Sequence, residues 1–236
     1  MTPRVQPPRQ PDPVVKMLVR YGKVGPARFA SHRDFARAFE RALRRADIPM
    51  AYSSGFNPHQ RVSYINPAAT GVESDAEFLV IALAEACEPG EVARRLSTVM
   101  PVGLPVLDVT TVRQEEPSPL SRFGASLWEV RCPGATWTAL QAAVGLVDPC
   151  TPGELYVTRD TKTGPRRFDV RGPLEEIVVT GEATLTMVIR VTEPLVRPDD
   201  VCLGMREHAE GLPDVPLLIK RLAQGTVAEL IAGPRP

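Results

Sequence analysis

Four arginines, Arg33, Arg37, Arg41 and Arg44, recur every three or four residues, and Arg45 follows the last of them. At 100° per residue they share one arc, opposite Phe35, Ala38, Phe39, Ala42, Leu43 and Ala46. On a helix this pattern packs one face and presents a row of guanidinium groups on the other. Such a row suits a chain of phosphates, because every phosphate neutralised releases condensed counterions. Lys23, Arg28 and Arg61 extend the patch if their loops fold toward it. The plain alternative is a solvated arginine face, partly paired through Glu40 and Arg44 in an i,i+4 relation. The segment Ser53-Ser54-Gly55-Phe56-Asn57-Pro58-His59 is the second candidate. Gly55 permits a positive φ, Asn57 can form an Asx turn, and Pro58 fixes the chain before His59. Phe56 beside cations suits stacking on an unpaired base, and serves equally well as a plug for the end of a core.

Of the three histidines, His32 and His59 each lie beside a loop rich in cations. Brought together, they would supply a general acid and base for metal-independent cleavage at a ribose 2′-hydroxyl. Simpler roles compete: Ser31 reads as a helix N-cap with Asp34 on the first turn, His32 as a packed first-turn residue, and His208 as a partner of a helix dipole. Glu73 and Glu77 flank a loop holding Gly71, placed to meet a ligand amine, the arginines of the basic helix, or only solvent. The cysteines, Cys87, Cys132, Cys150 and Cys202, form no CxxC pair and have no histidine at a ligand spacing. No GxxxxGK[ST] or GxGxxG loop occurs. Neither a metal nor another cofactor is expected.

The 236 residues carry 28 cations and 28 anions, which excludes a wholly basic nucleic-acid coat. The balance is uneven: residues 1–65 carry a net +8 and residues 66–236 a net −8. No stretch approaches the roughly 18 apolar residues needed to span a bilayer, and the proline-rich start lacks the apolar run of a signal peptide. A cytoplasmic protein with reduced thiols and no membrane partner is expected.

The elements that must hold these groups follow from period and punctuation. Residues 14–20 read as a strand ending at a Gly-Pro turn, the basic helix runs from its Ser31 cap to about residue 47, and residues 50–52, 61–65 and 77–83 read as strands. Residues 66–75 read as a loop, 89–100 as a helix opened by proline, and 104–112 as a strand. The second half offers strands at 127–131, 155–159, 166–170, 183–191 and 215–221, and helices at 136–147 and 198–208. With the 50–65 stretch taken as the second strand and its elaborated connection to the third, and residues 155–170 as one hairpin, both halves read as β-α-β-β-α-β, predicting an α+β protein of two tandem ferredoxin-like domains. The expected boundaries are a disordered leader at 1–13, a basic domain at 14–114, a linker at 115–121, a second domain at 122–223 and a tail at 224–236.

Residues 20–34 (RYGKVGPARFASHRD), 39–46 (FERALRRA) and 52–59 (YSSGFNPH), with Gly71-Val72-Glu73-Ser74 and Glu77, resemble the radical SAM-associated domain of unknown function. The resemblance is specific over residues 16–84 and diffuse beyond. It rests on Arg28, Phe29, Ser31, His32, Asp34, Arg41, Arg44, Arg45, Gly55, Phe56, Asn57, Pro58, His59, Gly71, Glu73, Ser74 and Glu77. The sequence departs from the pattern at Arg33, where the family tends to have leucine, and at Gln60, where it often has proline. In that family the domain is either the C-terminal part of a cobalamin-binding radical SAM protein or a separate chain encoded beside one. No CxxxCxxC loop is present here, so the chain resembles the separate form.

The resemblance implies an accessory, substrate-presenting subunit for a radical SAM protein with a cobalamin-binding domain. The charge pattern points to RNA in the substrate, held by Lys23, Arg28, Arg37, Arg41, Arg44, Arg45, Phe56 and Arg61. Ser31, Asp34, Gly55, Asn57, Pro58, Glu73 and Glu77 stand as motif residues without a role. Two alternatives compete: an endoribonuclease using His32 and His59, and a protein-interaction domain that docks the radical SAM partner without RNA.

Overall fold

The computed structural model describes residues 9–113, 119–161 and 164–233. The chain is a mixed α+β protein with antiparallel sheets, and it divides into two compact units with the boundary between Pro119 and Leu120.

In the first unit, β1 (Val15–Lys23) alternates, with Met17, Val19 and Tyr21 buried on one face. A 3-10 turn (Gly25–Phe29) leads into α1 (His32–Arg45). Ser31 caps α1: its hydroxyl accepts from the Asp34 amide at 3.2 Å and donates to the Asp34 carboxylate at 2.7 Å. The helix ends where Asp47 takes φ 51° ahead of Pro49. After β2 (Val62–Ile65), β3 (Glu73–Leu83), α2 (Pro89–Ser97) and β4 (Val106–Thr111) complete the unit. The strand order is β4-β1-β3-β2, every neighbour antiparallel. Phe35, Phe39 and Leu43 of α1 pack with Val92 and Leu96 of α2 onto Met17, Leu79, Ile81 and Leu83 of the sheet. Burying apolar side chains of this size contributes about 1.5–3 kcal/mol each, so this face fixes α1 and with it the arginines opposite.

The second unit opens with a short helix α3 (Pro119–Arg122), then β5 (Ala125–Arg131) and α4 (Trp137–Val147), which Thr136 caps. A hairpin of β6 (Tyr156–Thr161) and β7 (Gly164–Asp169) forms its own two-stranded sheet. Then come β8 (Leu174–Gly181), β9 (Thr184–Arg190), α5 (Pro198–His208), β10 (Leu218–Gly225) and α6 (Val227–Ala232). The larger sheet runs β10-β5-β9-β8, again antiparallel. α6 covers Ala125, Leu127 and Val188 with Leu230.

Several expectations are corrected. Residues 50–52 make only isolated bridges, Met50 to Leu83 and Tyr52 to Gln60, because the chain turns away at Ser53. β3 begins at Glu73, inside the expected loop, because its polar start still pairs with β1, Ser74 opposite Lys23. The hairpin is not part of the second unit's larger sheet. That place belongs to β8, hidden in the sequence by a register shift between Leu174 and Glu176 that breaks the two-residue period. The last strand lies at Leu218–Gly225 rather than 215–221, so the expected tail holds the end of β10 and α6, whose start is capped by Thr226 and Glu229. Residues 1–8 of the leader, 114–118 of the linker, the hairpin residues 162–163 and residues 234–236 lie outside the described residues.

Candidate functional site

Arg33, Arg37, Arg41, Arg44 and Arg45 are all exposed on α1. Among the described residues none of the five makes an ion pair or a side-chain hydrogen bond, and Glu40 does not close on Arg44. At a rise of 1.5 Å per residue the row extends over about 18 Å. The pairs 33/37, 37/41, 41/44 and 41/45 are like charges at helical neighbour spacing, each costing about 0.2–0.5 kcal/mol. Asp34 and Glu40, three or four residues from Arg37 and Arg44, offset part of that cost without closing an ion pair.

Lys23 and Arg28 do not join this row. Lys23 is 5% exposed, and its ammonium donates to the Ala69 carbonyl at 3.3 Å. Arg28 pairs with Glu73 at 3.4 Å and lies over the Phe29 ring, 4.8 Å from its centroid. The two motif acids face the same corner of the unit. Glu73 also accepts from the Gly25 amide at 3.1 Å, while Glu77, 1% exposed, accepts from the Ala68 amide at 2.9 Å. The Gly71 amide, at φ 91°, donates to the Arg28 carbonyl at 2.8 Å. These contacts clasp residues 66–72 to the 3-10 turn just ahead of α1. Glu73 and Glu77 thus both accept from backbone amides in this corner, at Gly25 and at Ala68.

The 53–59 loop is closed by its own ends. The Ser53 amide donates to the His59 carbonyl at 2.9 Å, the His59 amide to the Ser53 hydroxyl at 3.1 Å, and that hydroxyl lies 2.8 Å from His59 Nδ1. Gly55 adopts φ 122°, the left-handed region that needs glycine. Phe56 is half exposed, and Asn57 and Pro58 are exposed beside it. Arg61 follows, its amide bonded to the Ala51 carbonyl at 2.9 Å. Together with residues 9–12, this segment walls a polar cleft of about 300 Å³. Arg9 and Tyr52, two of its lining residues, are not among the expected site residues: Arg9 lies in the leader, and Tyr52 reads in the sequence only as the end of strand 50–52 and the start of the 52–59 motif.

His32 packs edge-on against Tyr64 of β2, ring centroids 4.7 Å apart, whereas His59 is held by Ser53. No contact joins the two histidines among the described residues. Tyr64 also meets Phe35, and its hydroxyl is buried without a hydrogen-bond partner. Burial, with the charge of Glu40 second, pushes its pKa up to about 12. Among the described residues no group of three or more His, Cys, Asp or Glu side chains is arranged to hold a metal ion, and no helix is long and apolar enough to cross a membrane.

The sequence matches, over residues 16–198, the family described as an uncharacterized protein conserved in bacteria, DUF2344. The chain belongs to that family. Among curated proteins none matches it. The DUF2344 match extends well past residue 84, through the hairpin and β9 to the start of α5, so both units carry family sequence. In the DUF2344 chain the motif segments thus divide structurally. Residues 23–28 and 66–77 build the clasp, α1 carries the free arginines, and residues 52–61 build the cleft.

Proposed function

We propose that this chain is a non-catalytic, RNA-binding accessory subunit that presents its substrate to a separate radical SAM protein carrying a cobalamin-binding domain. The observation that carries the RNA part is the row on α1: five exposed guanidinium groups, none closed in an ion pair among the described residues, on a helix whose other face is fixed in a core. The like-charge pairs along the row cost the free protein some stability, and an external polyanion removes that cost. The resemblance of residues 16–84 to the radical SAM-associated domain supports the partner. The strand orders β4-β1-β3-β2 and β10-β5-β9-β8 support reading the units as two ferredoxin-like domains, the second with an inserted hairpin. The corresponding location is the cytoplasm.

The test is binding of the purified, nuclease-treated protein to total RNA at low and moderate salt. Salt-sensitive binding that is lost in Arg37→Glu/Arg41→Glu/Arg44→Glu supports the reading. Equal binding by that variant places RNA elsewhere. Absence of binding by the wild type, with a radical SAM partner retained after nuclease, moves the basic face to protein docking.

A further inference from the structure

We propose that the polar cleft between residues 9–12 and residues 52–61 binds a single unstacked nucleotide of a single-stranded RNA. The proposal rests on the RNA reading above and names a site separate from the α1 row.

The cleft's volume, about 300 Å³, lies at the small end of ligand pockets, which suits one nucleotide and not a stack of bases. Its walls are built from both chain segments. Gln10 donates its amide to the Ser54 hydroxyl at 2.9 Å, which holds the leader against the loop. Tyr52 and Arg61 are set by backbone: Tyr52 bridges Gln60, and the Arg61 amide bonds Ala51. The Tyr52 side chain is 41% exposed, leaving ring surface for a base. Arg61 makes no ion pair or side-chain hydrogen bond among the described residues, so its guanidinium is free for a phosphate. Arg9 lies on the leader wall, loosely paired with Asp12 at 3.4 Å and open to solvent. A phosphate competes for Arg9 on better terms than this one exposed carboxylate.

The lining contains no aliphatic side chain. That disfavours an apolar peptide anchor and favours a ligand with one flat π-face, one anionic group and several hydroxyls. A nucleotide has all three. Phe56, half exposed on the same loop, offers a surface for the neighbouring base of the strand.

Adenosine 5′-monophosphate is the probe, titrated into the full chain by calorimetry with ligand-observed NMR at two salt concentrations. Saturable, salt-weakened binding is expected. Tyr52→Ala should weaken it about tenfold, whereas Tyr52→Phe retains it, because stacking needs the ring and not the hydroxyl. Arg61→Ala should weaken it and flatten the salt dependence, with Arg61→Lys recovering part of both. The α1 variant Arg37→Glu/Arg41→Glu/Arg44→Glu should still bind the nucleotide. Absence of saturable binding overturns the pocket, as does equal binding by Tyr52→Ala. Inorganic phosphate binding as tightly as the nucleotide reduces the cleft to an anion site and also overturns it. Failure of the RNA reading looks different: long RNA is bound equally by the α1 variant or by neither protein, while the Tyr52 effect on the mononucleotide persists.

Discussion

Neutralising α1 without reversing it gives the sharpest test, because the structure bounds the size of two independent effects. In Arg37→Gln/Arg41→Gln/Arg44→Gln each substituted side chain is exposed and has no internal partner to orphan. Glutamine and arginine have nearly equal helix propensities, so α1 should remain intact. If these three guanidinium groups each meet one phosphate of a single strand, the slope of log K against log salt falls by about 2, and affinity at 0.1 M salt falls about a hundredfold. Stability should change by no more than about 1 kcal/mol at low salt, because the three changes remove four like-charge helical pairs together with three opposite-charge ones, Asp34/Arg37, Arg37/Glu40 and Glu40/Arg44, each worth about 0.2–0.5 kcal/mol. For a chain of this length, that keeps Tm within a few degrees of the wild type. Fluorescence anisotropy on labelled RNA across a salt series reads the first effect, and calorimetric unfolding at low salt reads the second. An unchanged salt slope would refute phosphate contact by α1. A Tm lower by well over a few degrees would show that the arginines hold the fold, overturning the view of the row as a solvent-facing surface.

Three further outcomes follow from single contacts. Tyr64→Phe should stabilise the chain by about 1 kcal/mol at neutral pH, since it removes a buried hydroxyl without a partner. Wild-type stability should also fall between about pH 10 and 12, where an unfolded tyrosine ionises while folded Tyr64, held near 12, keeps its proton. Urea titrations of both proteins at pH 8 and pH 11 check this, and an identical alkaline loss in Tyr64→Phe would contradict the assignment. Gly103→Ala should cost about 2–3 kcal/mol, because Gly103 has φ 84° and a Cβ there would lie 2.7 Å from the Val24 carbonyl and 2.8 Å from the Ala27 Cβ. Denaturation midpoints read that loss directly. Ser31→Ala should cost about 1 kcal/mol through the lost cap, and Ser31→Asp should restore most of it.

The parts legible in the sequence are those where one local pattern decides the outcome. The helix bearing the arginines was readable from its 3.6-residue apolar stripe, its Ser31 cap and Pro49, and the structure buries Phe35, Phe39, Ala42, Leu43 and Ala46 as the stripe requires. β1 was readable as a run of β-formers ended by a Gly-Pro turn, and β9 from its alternating sequence, although Leu185–Ile189 are all buried. β8 was not, because a bulge beside two consecutive glutamates shifts its buried side chains out of period. The cleft was illegible for a different reason. It is made by a non-periodic leader segment meeting a loop 44 residues away through one hydrogen bond, and no local spacing encodes such a meeting.

Charge counting overstated the basic surface for a related physical reason. Lys23 and Arg28 add to the +8 of residues 1–65, yet one is buried against a backbone carbonyl and the other is paired with Glu73. A cation next to a turn has backbone carbonyls and a nearby acid competing with solvent for it, whereas a cation at the centre of an exposed helix face has only water. The clasp formed by Lys23, Arg28, Gly71, Glu73 and Glu77 fixes the turn that delivers the chain to Ser31, and the Ser31 cap sets where α1 begins. Glu73 and Glu77, which touch none of the α1 arginines, thus bear on the row only through the turn that leads into the helix, while the buried face of Phe35, Phe39 and Leu43 sets its rotation.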